Sequence, residues 1–215
     1  MLSSISVLTL GFILGMRHAT DPDHVVAVTT IVSQQRSVPR AARIGALWGA
    51  GHTMTIVLVG GAILLFRLAI PPRLGLAMEL AVAVMLVLLG VRSLQAVGGR
   101  DRAAVWSPVR PLLVGFLHGL AGSAFVAMLV LTAIESALVG VAYLLVFGAG
   151  TVAGMTLVTA AIAVPSAYAA ARVSGAQRYL QLAAGVASVC LGLVLAHRVG
   201  VTDGLFAATP HWTPQ

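Results

Sequence analysis

Residues 17–24 read R-H-A-T-D-P-D-H, which sets Arg17, His18, Asp21, Asp23 and His24 within eight positions of an otherwise apolar chain. Imidazole nitrogen and carboxylate oxygen are the donor pair that suits Ni²⁺, Co²⁺, Zn²⁺ and their neighbours. The apolar runs Val7–Met16 and Val25–Val32 flank the motif, so it falls at membrane depth, where ionisable side chains are costly and usually functional. Pro22 lacks an amide donor and disfavours helix at Asp21, so the span is predicted to break here, with Pro22 in the first turn of an inner half-helix. A break lets His18, Asp23 and His24 converge as an unbroken helix would not. The bland alternative is capping, with Asp21 or Asp23 satisfying the amides of the half-helix. Arg17 and Asp21, four apart, are expected to pair and hold the loop, each offsetting the burial of the other.

Other chemistry-bearing residues are sparse. His52 lies in W-G-A-G-H-T well inside the second apolar run, where Gly49 and Gly51 permit close helix approach and would bring it to the knot. His118, in H-G-L-A-G-S, holds the position in the second half of the chain that His18 holds in the first. Either histidine could instead be a core residue bonded to a carbonyl. Glu79 and Glu135 are the remaining acids at or near span depth and are candidates for proton coupling. His197 and His211 read as interfacial or solvated. Cys190 is alone, so no internal disulfide or Cys-x-x-Cys pair exists, and it reads as packing.

These residues need elements to position them, and the composition says which. Hydrophobic residues make up 59% of 215 and charged ones 9%, with mean hydropathy +1.01. A soluble domain carries about a quarter charged residues. Apolar runs occur at about 3–33 (interrupted by the motif), 43–69, 74–95, 110–135, 137–170 and 178–199, each long enough for a helix across a bilayer. The fold expected is an all-α membrane protein of six transmembrane helices, a single domain over 1–215 with a polar tail from 200. Met1–Met16 has neither a basic leader nor a small-residue cleavage site and is read as a retained span.

Thirteen arginines and no lysine face six acids. They fall between apolar runs and form no patch interleaved with aromatics, which argues against nucleic acid and for topology signals and lipid contact. Arg36, Arg40, Arg43, Arg92, Arg100, Arg102, Arg110, Arg172 and Arg178 share one side, and Arg67, Arg73 and Arg198 the other. The richer side is the cytoplasmic one by the positive-inside rule, leaving both termini outside a bacterial-type inner membrane.

The chain also repeats. Gly15, His18, Val26 and Ala27 recur as Gly115, His118, Val126 and Ala127, and W-G-A-G at 48–51 returns as F-G-A-G at 147–150. The run from Met78 resembles that from Leu180. Apolar low-complexity sequence can produce such matches by chance. A true duplication makes two three-helix halves (about 3–95 and 110–199) of opposite orientation, with the first and fourth helices broken, which is the inverted-repeat plan of secondary transporters. Such halves can close within one chain or between two copies, so a homo-oligomer stays admissible.

H-E-x-x-H, a nucleophile elbow and a P-loop are all absent, so nothing points to an enzyme or an ATP site. By contrast, His18, four residues and Asp23-His24, with Gly51-His52-Thr53 on the next span, resembles the signatures of the nickel/cobalt transporter family. The H-G-L-A-G-S run, in place of an acidic third signature, is similar to its smaller six-span, urease-accessory-like branch. The resemblance implies transport of Ni²⁺ or Co²⁺ as substrate, with no resident cofactor. It implies His18, Asp23 and His24 as essential ligands, supported by His52, with His118 a candidate to complete the sphere. Rival readings are export of a metal or small anion, with Arg17 as the anion contact, and a membrane-embedded accessory or sensor that binds metal without moving it.

Overall fold

The computed structural model describes residues 4–33, 35, 37–67, 70–97, 107–120, 134, 136–173 and 175–212. Among them the regular structure is helical, with no strand: α1 (Ser4–His18), α2 (Pro22–Val32), α3 (Val38–Phe66), α4 (Pro72–Val97), α5 (Val109–His118), α6 (Ala137–Arg172) and α7 (Ala176–His197). A π-helical turn, Arg198–Thr202, prolongs α7. Four of these are long and apolar enough to cross a membrane: α3 with 29 residues, α4 with 26, α6 with 36, and α7 with its π turn at 27. At about 1.5 Å per residue each exceeds a hydrocarbon core about 30 Å thick. Their outer faces carry exposed Leu58, Leu88, Leu145, Leu157 and Leu193, as a lipid-facing surface requires.

The break expected within the first apolar run is present. α1 stops at His18, and the amides of Thr20 and Asp21 close a turn onto the carbonyls of Arg17 and His18 at 2.8 and 3.1 Å. Asp21 is extended (φ −61°, ψ 143°), as the residue before a proline prefers, and Pro22 opens α2 where its missing amide costs nothing. Asp21 holds the N-cap position without making a side-chain cap. The fourth apolar run behaves alike as far as it is described: α5 ends at His118, Gly119 and Leu120 turn, and 121–133, with Gly122 and Ser123, lie outside the described residues.

Glycine decides how the helices meet. A Cβ at Gly15 would overlap the Phe147 carbonyl, and one at Gly150 that of Phe12, so α1 and α6 touch backbone to backbone, running the same way. Gly51 lies against the Leu112 carbonyl and Gly115 against that of Trp48, which seats α5 on α3 in the same parallel manner. Gly49 meets Val152 and Gly148 meets Thr53, so α3 and α6 are antiparallel. α4 and α7 form a separate antiparallel pair through Gly90, Gly185 and Gly192, tied by Ser188 Oγ donating to the Leu86 carbonyl at 2.7 Å. α2 leans on that pair, with Thr30 Oγ1 donating to the Ala184 carbonyl at 3.2 Å. The two short helices α1 and α5 therefore reach the interior from opposite ends, their terminal histidines facing one centre.

Candidate metal centre

The turn after α1, the start of α2, the middle of α3 and the end of α5 bring His18, Asp23, His24, His52 and His118 together. His24, His52 and His118 are fully buried and His18 is 6% exposed. The ring centroids of His18 and His24 are 4.5 Å apart, those of His18 and His52 4.8 Å, and those of His24 and His118 4.1 Å. Donor atoms of His18, His24 and His52 lie within 4.8 Å of one another, as do those of Asp23, His24 and His118.

The hydrogen bonds fix which nitrogen each ring can offer. His18 Nδ1 donates to Asp21 Oδ2 at 2.8 Å, leaving the Nε2 lone pair inward. His24 Nδ1 donates to Asp23 Oδ1 at 3.0 Å, again leaving Nε2, which has no partner. His118 Nε2 donates to Asp23 Oδ2 at 2.9 Å, so its Nδ1 is the free nitrogen. The Nε2 atoms of His18 and His52 stand 2.7 Å apart, a distance that needs one shared proton; the lone pair of His18 makes His52 the donor. Carboxylate, imidazole and inward lone pair is the arrangement that orients histidine ligands. Three buried imidazole nitrogens (His24 Nε2, His52 Nδ1 and His118 Nδ1) lack partners here, each a cost of about 1–3 kcal/mol that a bound cation could offset. The donor set and its unsatisfied atoms fit a divalent transition-metal ion.

Asp23 Oδ1 accepts from the amide and the ring of His24, and Oδ2 accepts from His118 on another helix, which leaves Oδ2 a lone pair that an ion could use. Asp21 turns to His18; the expected partner Arg17 is exposed, and no Arg17–Asp21 ion pair occurs among the described residues. The reason is the helix end: beyond His18 the chain leaves the helix, so the four-residue spacing no longer puts the two side chains on one face. Glu79 accepts a hydrogen bond from Trp212 Nε1 at 2.7 Å, at the chain's tail and away from the cluster. Glu135 lies outside the described residues. His211 sits in the folded-back tail, where its amide donates to the Asp203 carbonyl at 3.0 Å, and His197 ends α7.

Two flanking aromatic residues carry no expectation from the sequence. Trp48 stacks near His24 (6.4 Å, 15°) and edges His118 (5.6 Å), and Phe147 lies 5.8 Å from His18. Their signal was the paired W-G-A-G and F-G-A-G runs.

Comparison with known proteins gives one match over nearly the whole chain: urease accessory protein UreH of Bacillus sp. (strain TB-90), 35% identical over 218 residues, covering 94% of this chain and 95% of that protein. The chloroplast protein FOR GROWTH AND FERTILITY 1 of Arabidopsis thaliana is 28% identical over 180 residues, covering 71% of this chain and 48% of its own length, so this chain spans about half of it. No family model and no solved structure matches.

Proposed function

Because the chain belongs to the family of urease accessory protein UreH, and its apolar helices enclose a buried His/Asp cluster, we propose that it carries Ni²⁺ or Co²⁺ across a membrane with that cluster as the transient binding station. The observation that carries the reading is the convergence of His18, His24, His52 and His118 with Asp23 in the buried interior of the apolar helices, more ligating capacity than packing requires. His18 and His24 would hold the ion through Nε2, His118 through Nδ1, and His52 through Nε2 once the proton it donates to His18 has moved to its free Nδ1, with Asp23 able to complete the sphere. Asp21 and Asp23 keep the rings of His18, His24 and His118 in their tautomers. Metal–nitrogen bonds of about 2.1 Å put neighbouring donors about 3.0–3.4 Å apart. The 2.7 Å gap between His18 and His52 must therefore widen slightly as the ion takes the place of their shared proton, which passes to His52 Nδ1 so that the ring stays neutral. Two carboxylates on neutral imidazoles match the charge of a divalent ion, which lowers the cost of burying it.

The transport plan in this proposal has six crossings, in two inverted three-helix halves within a single 1–215 domain. It is supported by the exchanged pairing of α1 with α6 and α5 with α3, and by the antiparallel pairing of α4 with α7. The bias of arginines toward one side supports an inner-membrane protein with both termini outside. The relative's printed name, an accessory protein, fits a carrier or a subunit that only holds metal. Flux decides between them. Proteoliposomes should take up Ni²⁺ or Co²⁺ saturably, less as the medium is acidified because protons compete for the imidazoles, and not at all with His18→Ala. Tight binding without flux would make it a holding subunit; neither binding nor flux would end the metal reading.

A further inference from the structure

The aromatic pair beside the cluster has a symmetry that the carboxylates lack. Trp48 opens W-G-A-G on α3 and Phe147 opens F-G-A-G on α6, at matching places in the two halves of the chain. Because α3 and α6 are antiparallel, these matching places lie toward opposite membrane faces. Gly49 packs on Val152 and Gly148 on Thr53, so Phe147 is level with Met54. Trp48 and Phe147 are thus about 9 Å apart along the helix pair at about 1.5 Å per residue, with His52 between their levels. Both are buried, at 0% and 2% exposure, and each ring faces a ligating imidazole.

Each is also clamped by the opposite half. Gly15 of α1 presses on the Phe147 carbonyl, three residues before His18, while Gly115 of α5 presses on the Trp48 carbonyl, three residues before His118. A rigid single turn of helix therefore joins one imidazole to the backbone of one aromatic plug at each end of the cluster. Beyond Phe147, toward the face where α1 begins, Tyr143, Leu144 and Ile56 continue the apolar plug. Toward the other face Trp48 belongs to a buried apolar cluster that includes Ala27, Val28, Ala41 and Met155.

We infer that Trp48 and Phe147 are the paired gates of the carrier, each closing the metal station toward one membrane face and released when the half-helix bearing His118 or His18 shifts. This inference rests on the transport reading, and it makes the structure the occluded state of an alternating-access cycle.

The test reads water access and needs no metal. In a Cys190→Ser background, His52→Cys serves as a reporter at the station, labelled with a membrane-impermeant charged methanethiosulfonate in vesicles of each orientation. The parent should label slowly from both faces. Phe147→Ala should speed labelling from the face where α1 begins, and Trp48→Ala from the face where α3 begins. Each rise should be about tenfold or more, the change that a shift of about 1.4 kcal/mol in an opening equilibrium produces. Phe147→Tyr and Trp48→Phe, which keep a ring, should label like the parent. Where an alanine variant is not monodisperse, Phe147→Leu or Trp48→Leu replaces it with the same expectation. Labelling of both variants from the same face, equal rises from both faces, or no rise over the parent would each overturn the gates. Loss of Ni²⁺ flux in His18→Ala is read separately, so failure of the gates and failure of the metal reading give different results.

Discussion

Replacing Asp23 by Asn tests how the cluster is built. The carboxylate accepts from His24 Nδ1 at 3.0 Å through one oxygen and from His118 Nε2 at 2.9 Å through the other. Asn offers one acceptor and one donor, so one of the two imidazoles meets an N–H instead of an oxygen. If that ring is His24, its proton moves to Nε2 and occupies the lone pair that should ligate. A hydrogen bond to a charged group contributes about 1.5–3 kcal/mol. Losing one, at about 1.4 kcal/mol per decade, weakens the site by about 10- to 100-fold, the range typical for a carboxylate behind a ligating histidine. The assay is Ni²⁺ binding to detergent-purified protein by competition with a chelator of known affinity, at fixed pH. Asp21→Asn is the internal comparison: among the described residues Asp21 serves His18 alone, and its side chain is 39% exposed, so water can replace part of what is lost. Its effect should be several-fold smaller. An Asp23→Asn site within twofold of the parent, or an Asp21→Asn loss larger than that of Asp23→Asn, would refute the tautomer argument.

Gly115→Ala should lower thermal stability in detergent by about 1–3 kcal/mol, because its Cβ would meet the Trp48 carbonyl, whereas Gly61→Ala, with nothing within 4 Å, should be close to neutral. Equal melting temperatures for the two variants would contradict the backbone contact between α3 and α5. Glu79→Gln should keep Ni²⁺ flux in proteoliposomes, since the carboxylate is engaged by Trp212 at 2.7 Å and stands apart from the cluster. The same variant should make the tail beyond Asp203 more susceptible to limited proteolysis. Lost flux with an unchanged tail would instead make Glu79 a coupling group.

What could be read in the sequence followed from short-range rules. Hydropathy gave the long helices to within a few residues, because a bilayer demands length and apolarity and little else. The first span ran past its break in hydropathy, and only Pro22 and the polar knot disclosed it. The histidines were legible because imidazole at membrane depth has few ordinary uses. Their partners were not. His118 lies 95 residues from Asp23 and Glu79 lies 133 from Trp212, so only the packed chain brings them together. Asp21 illustrates a subtler failure: four residues from Arg17 is a pairing distance on a helix, but the helix ends at His18, and the turn delivers the carboxylate to His18 instead. Trp48 and Phe147 were harder still, since an aromatic residue in an apolar helix looks the same whether it faces lipid, core or substrate. Their paired placement was visible only as the repeated Gly-Ala-Gly that follows each. The meaning of that repeat depends on α3 and α6 being antiparallel, which turns a match in sequence into opposition in space. A symmetric frame around an asymmetric ligand set follows directly. In the proposed carrier the carboxylates at the cluster come from the first half alone, whereas His18 and His118, the glycine clamps and the aromatic plugs come in pairs from both, so the charge that meets the ion is supplied once and closure is supplied twice.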